Sequence, residues 1–449
     1  MRHMTQKWIT VLPVILLMVG LVAVGCSSDE GEITESVGEE VTGGSSEAPQ
    51  QETEFPLGVE TVKIGLQGAR SGGHAYYGRQ MAMGATLAME EINAAGGILG
   101  SKVELKIRDS ELNGNVAQKN ARYFVEEWGA DFLVGTDSSG VSLALAPLLK
   151  ELNTIQIFTH AATEKLTEDM VYKQGIKQVF RISVPVYQDA IMAALVFKDK
   201  PEMKRFAALN ADYEYGHTSW AMFKETLSKY RDDVEFVEEA AAPFRTTDFT
   251  PYLSKLMAAE PDVIFATPWA GEAVMMLKQA KNMGVFNEID AWWQAMGGSA
   301  DVLEALSGDI KAGAFQGKLW GTGRYIHNWP DTPENKNFVE AFLGRWDGYP
   351  NYSAETAYSA IYALKTAIEK AESIETDPVI AALEGLTIMT PAGERYFRPE
   401  DHQAVYNVPA GRAVWDDNYP IAIIGGDLKI VPAEEYYRSP PDYRNPPFD

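Results

Sequence analysis

The chain has 449 residues, 46% hydrophobic and 23% charged, enough for a sizeable core and more in keeping with two domains than one. Its 39 basic against 63 acidic side chains leave a net charge of −24, which argues against a nucleic-acid or anionic-membrane surface. The single cysteine, Cys26, excludes a disulfide framework and multi-thiolate metal sites, and the six histidines show neither HExxH nor HxxxH spacing, so no metal or other cofactor is expected.

Arg2 and Lys7 precede an apolar run from Trp8 to Val24 that ends in small residues, the layout of a secretory signal peptide over residues 1–25. An uncleaved anchor is the alternative, because 17 residues is near the lower limit for a membrane span. Cys26, in Val24-Gly25-Cys26-Ser27-Ser28, resembles the lipidated cysteine of a bacterial lipobox, with Ala23 where that motif usually has Leu. Residues 26–60 then carry ten acids and no base in a Gly, Ser, Thr and Glu background, the composition of a solvated tether from a lipid anchor. Residues 61–449 carry −16.

From Val62 short apolar strands alternate with amphipathic helices. Strands are predicted at 61–68, 102–110, 131–136 and 154–160, with helices at 79–93, 115–128 and 141–152 between them. A second set begins after Phe180, with strands at 205–212, 234–242, 261–268, 289–296 and 311–320 and helices at 216–230, 249–259, 271–283 and 300–306. Helices at 333–346 and 353–371 and a β-rich, proline-containing tail follow. The order implies an α/β fold of two lobes, each a mostly parallel sheet covered on both faces. Ligands of such sheets sit beyond the carboxyl ends of the strands, where this chain concentrates small, hydroxyl and aromatic residues.

Several of these turns together resemble the leucine/isoleucine/valine-binding protein family, type I periplasmic solute-binding receptors of ABC importers. The resemblance is carried by Ile64-Gly65, Ser71-Gly72-Gly73, Tyr77-Gly78, the stretch from Ala88 to Gly100 (AMEEINAAGGILG), Phe158-Thr159-His160-Ala161-Ala162-Thr163, Phe180-Arg181, Asp212-Tyr213-Glu214-Tyr215-Gly216 and the Ala357–Tyr362 segment. It implies two Rossmann-like lobes joined by a three-stranded hinge, closing on a small solute that is delivered to an ABC permease. The expected division is lobe I over 61–184 and 320–395, lobe II over 185–319, and a lobe II return with the tail over 396–449.

By position in the family, Ser139, Ala161 and Thr163 would hold a ligand carboxylate. Neutral donors at helix N-termini suit an anion on physical grounds as well, although each Ser or Thr taken alone reads equally as a helix cap. Tyr213, Tyr215 and Trp269 would form an apolar wall on the opposite jaw, with Tyr77 and Tyr76 as weaker candidates; packing of the lobe surface is the alternative for each. The departure is at Trp292-Trp293-Gln294-Ala295-Met296, because amino-acid binders of the family have an acid where Met296 or Ala295 falls. The expected solute is therefore a small carboxylate with an apolar or aromatic body. A branched-chain amino acid stands beside it, with Asp137, Glu214 or Glu272 as ammonium partner.

An enzyme is the weaker reading. No GxGxxG, GxxxxGK[ST] or GxSxG occurs, Asp109 reads as a loop cap, and neither His160 nor His402 accompanies a nucleophile signature. A sensor that docks on a separate receptor is the third class, since no later apolar run is long enough to link the body to a signalling domain of its own.

Overall fold

The computed structural model describes residues 55–72, 74–438 and 440, so the expected signal peptide, Cys26 and most of the acidic linker lie outside the described residues. β1 (Thr61–Gly68), β2 (Lys102–Asp109), β3 (Phe132–Gly135), β4 (Ile155–Phe158) and β5 (Val179–Arg181) form a parallel sheet in the order β2-β1-β3-β4-β5. β3, β4 and β5 are buried throughout, as expected for strands covered on both faces. The crossovers contain α1 (Ala75–Ala94), α2 (Gly114–Arg122) and α3 (Ser139–Leu152). The helix expected at 115–128 is α-helical only to Arg122 and continues as a π-helical turn over Tyr123–Glu127.

Two glycines of α1 set its close packing. A Cβ on Gly78 would stand 1.9 Å from the Ala69 carbonyl oxygen, and one on Gly84 would stand 1.9 Å from that of Ala354. Only glycine lets α1 approach both the turn after β1 and the helix that contains Ala354.

After β5 the chain enters α4 (Gln188–Phe197) and then alternates through β6 (Arg205–Ala211), α5 (Glu214–Tyr230), β7 (Glu235–Ala242), α6 (Thr250–Met257), β8 (Val263–Ala266), α7 (Gly271–Asn282), α8 (Val285–Glu288), β9 (Ala291–Gln294), α9 (Ala300–Lys311) and β10 (Leu319–Thr322). The expected strand at 311–320 is thus mostly helix end and turn. Gly313, Gln316 and Gly317 adopt positive φ there and reverse the chain before β10 can start.

α10 (Pro333–Arg345), α11 (Tyr352–Ala371) and α12 (Thr376–Leu383) follow, then a small antiparallel sheet of β11 (Thr387–Thr390), β12 (Gly393–Phe397) and β13 (Ala404–Val405). β14 (Val408–Val414) and β15 (Ile423–Val431) complete the second sheet, ordered β15-β14-β10-β9-β8-β6-β7, with β14 antiparallel to both of its neighbours. α11 and α12 pack with the first sheet in one apolar core, whereas α9 packs with β6, β8 and β9 in another.

The chain passes between the two lobes at 182–187, 323–332 and 406–407. Buried polar contacts brace these crossings. Arg181 donates from Nη1 to the Thr163 carbonyl at 2.5 Å and from Nη2 to Thr167 Oγ1 at 3.1 Å, and its Nε donates to the Gln403 side chain. Arg395 and Glu355, both with no exposed side-chain surface, pair at 2.5 Å. No described helix is long and apolar enough to cross a membrane.

Candidate functional site

The carboxyl ends of both sheets face one cavity of about 480 Å³, within the size range of small-molecule sites. Its residues come from turns that follow strands. His74 follows β1 and Leu112 follows β2; Asp137 to Gly140 follow β3, and His160 to Glu164 follow β4. From the other lobe come Tyr213 to Tyr215 after β6, Phe244 after β7, Trp269 after β8, Met296 after β9 and Arg324 after β10.

The first jaw is small and polar. Ser139 is the first residue of α3, where the backbone N–H groups have no partner within the helix and carry its positive dipole end. The Ser139 hydroxyl accepts from the Thr163 amide at 3.2 Å, so the two turns are joined before any ligand arrives. Thr163 Oγ1 is buried and unpartnered, a donor that a ligand oxygen would satisfy. Asp137 keeps Oδ2 on the Ala69 amide and leaves Oδ1 without a partner. Burial raises its carboxyl to about 6, against the lowering effect of that amide.

His160 is fixed between Ser353 Oγ and Tyr352 Oη, each 3.0 Å from a ring nitrogen. Burial holds its imidazole well below the usual value, and the Arg324 cation adds to this, so it is neutral.

The second jaw is aromatic and held to the first. Trp269 donates from Nε1 to the Tyr213 hydroxyl at 2.8 Å. His74, from the first lobe, stacks on Phe244 at 5.1 Å and tilts against Trp269 at 4.8 Å. The Tyr215 hydroxyl donates to Asp189 Oδ2 at 3.0 Å, which turns its polar end toward α4. Lys165 and Glu214 pair across the rim at 2.7 Å with both side chains about half exposed, so that Glu214 is already committed.

Of the residues named from the sequence, Ser139, Ala161, Thr163, Tyr213, Tyr215, Trp269 and Met296 all line the cavity. Tyr77 does not. It is buried behind the wall, its ring 5.2 Å from Trp269 and 5.6 Å from His160, and its hydroxyl donates to Asp301 at 2.9 Å. Met296 stands at φ 57°, in the left-handed region. Glu272 accepts from the Arg245 amide at 2.7 Å outside the cavity lining. Asp109 accepts from the Arg70 and Glu111 amides at 2.9 and 2.8 Å, as a loop cap does.

The sequence reasoning missed Arg324, His74, Phe244 and Leu112. The available signal for Arg324 was a basic residue in a Gly-rich turn after a strand, Gly321-Thr322-Gly323-Arg324. It was obscured because that strand was placed too early.

A family profile described as periplasmic binding protein matches residues 61–418. The chain belongs to this family. It is a two-lobed solute-binding protein, and the family places its body outside the cytoplasmic membrane. It is 26% identical over 344 residues to the leucine-, isoleucine-, valine-, threonine- and alanine-binding protein of Pseudomonas aeruginosa, covering 76% of this chain and 87% of that one. Among solved structures it is similar to an ABC transporter substrate-binding protein from Sphaerobacter thermophilus, with a TM-score of 0.74, 26% identity, and coverage of 83% and 98% of the two chains. A solute-binding protein of an ABC transporter from Rhodopseudomonas palustris, in complex with 3,4-dihydroxybenzoic acid, shares the fold at a TM-score of 0.73 and 23% identity, covering 84% and 98%.

Proposed function

We propose that this binding protein captures a small carboxylate with an apolar or aromatic body and delivers it to an ABC permease. The observation that carries the reading is the pairing of two unlike jaws around one cavity. Ser139, the α3 N-terminus and the unpartnered Thr163 hydroxyl offer neutral donors on one side, and Tyr213, Tyr215, Trp269 and Phe244 offer flat apolar surface on the other. By resemblance to the family, Met296 or Ala295 falls where amino-acid binders have an acid for the ammonium group, and Met296 lines the cavity. The aromatic acid in the Rhodopseudomonas protein is in keeping with this solute class. Catalysis has no part in this reading.

A branched-chain amino acid is the second reading. The substrate named for the Pseudomonas relative favours it, and so does the free Oδ1 of Asp137 beside the cavity. Mass spectrometry of solute released from protein purified without denaturation separates the two. An amine-free acid supports the first reading, and a co-purified aliphatic amino acid replaces it with the second.

The lobe division expected from the sequence, 61–184 and 320–395 against 185–319 and 396–449, is supported in outline by the separate sheets; β10 in the second sheet and β13 beside β12 favour placing its later boundaries at 323–332 and 406–407. Cleavage after residue 25 and lipidation of Cys26 tether the body at the membrane through the acidic linker. Cys26→Ala is expected to leave an unprocessed precursor without lipid label; unchanged processing removes this part of the reading.

A further inference from the structure

Arg324 is the one cation that lines the cavity among the described residues. It is 3% exposed, and Nη1 donates to the His160 carbonyl at 2.9 Å. Its Nε is buried without a partner, and Nη2 makes no hydrogen bond to any described residue. The guanidinium lies over the Tyr352 ring at 5.2 Å from its centroid. No described carboxylate lies within 4.0 Å of it. Asp189 acts on it only from beyond that distance, is engaged by the Tyr215 hydroxyl, and does not line the cavity.

A buried charge without a directly paired carboxylate is costly, and a guanidinium with free N–H groups is shaped for one. The donors around Ser139 and Thr163 hold one carboxylate without any cation. Two donor sets, a neutral one at the ends of β3 and β4 and a cationic one on the crossing after β10, therefore line the same cavity. We propose that Arg324 reads a second negative charge on the solute, so that the cleft prefers small di-acids over mono-acids of the same body.

This rests on the carboxylate reading above and names its solute class more narrowly. Arg324 acts as the residue that sets specificity. The carbonyl it holds at His160 belongs to the first lobe, so pairing with a solute anion also completes a link between the jaws. An α-ammonium group in the same space would meet an unneutralised cation, which disfavours zwitterions.

The test is calorimetry on the native protein with benzene-1,3- and benzene-1,4-dicarboxylate, each against the matching methylbenzoate and against leucine. At least one di-acid is expected to bind ~30-fold or more tighter than its methyl counterpart. Arg324→Gln is expected to reduce that ratio to near one, and Arg324→Lys to restore part of it. The wild-type comparison needs no variant, and the thermal melt of each variant reports whether it folds. Methylbenzoates that bind as tightly as both di-acids overturn the inference while leaving the carboxylate reading intact. So does a di-acid preference unchanged in a folded Arg324→Gln protein. Tight binding of leucine alone overturns both.

Discussion

The two jaws of the cleft hold their ligand surfaces in different ways. The first is built from backbone and short side chains at the ends of β3 and β4, positioned by the strands themselves and by the buried Arg181 contact to the Thr163 carbonyl. The second is built from long side chains that hold one another, Trp269 hydrogen-bonded to Tyr213, Tyr213 stacked on Tyr215, and Tyr215 hydrogen-bonded to Asp189. A surface of fixed amides cannot be changed by substitution without moving the chain, whereas a wall of aromatic side chains changes with each residue. The first jaw therefore suits the group common to a family of solutes, and the second suits the part that varies.

The largest effect expected from this division is on the first jaw. Replacing Thr163 by Val and Ser139 by Ala removes both hydroxyl groups at the anion end. Loss of hydrogen bonds to a charged group is expected to weaken every acid, whatever its body, by ~100-fold. Fluorescence titration with aliphatic and aromatic acids checks this, and a loss confined to one body type breaks the comparison.

Trp269→Ala on the second jaw is expected to do the reverse. It removes a large ring that also packs on His74 and Tyr77, and should weaken aromatic acids by ~10–30-fold and aliphatic ones much less. The same titration reads the ratio.

Acidity sharpens the contrast further. Asp137 lines the cavity with its carboxyl raised to about 6 by burial, and Asp109 adds to the rise. Above that pH it carries a negative charge beside the anion site; below it, the charge is gone. Burial lowers His74 and His160, so neither gains a proton in the window just below 7 to offset the change. Affinity for benzoate is expected to rise by ~5–30-fold as pH falls from 7.5 to 5.5, and Asp137→Asn should flatten the profile. An amine-bearing solute paired with Asp137 would show the opposite slope.

The smallest effect belongs to the rim. Lys165→Ala breaks the half-exposed pair with Glu214, and such pairs contribute about 0–1 kcal/mol. A shift of no more than ~threefold in affinity, vanishing at high salt, is expected in a salt titration.

The alternation of strands and helices was legible because both periods are written in the apolar residues from Val62 onward. The turns around Ser139, Thr163, Tyr213 and Trp269 could be placed because strand ends are sharp and ligands gather there. Two features were not legible. α4 is buried at all ten positions, so it has no polar face and no helical period to read, and Asp189 on it carried no signal. Arg324 follows a strand of four residues, Leu319–Thr322, preceded by turns whose positive φ values the composition alone did not reveal. Tyr77 failed to reach the cavity for a different reason. Asp301, 224 residues away, holds its hydroxyl, and contacts of that separation leave no local pattern.

The most direct test of the account is calorimetry with leucine, its deaminated keto acid and an aromatic acid at one pH and salt. The account predicts that at least one amine-free acid binds and that leucine is the weakest of the three. Submicromolar leucine binding that disappears when the amine is removed would contradict it.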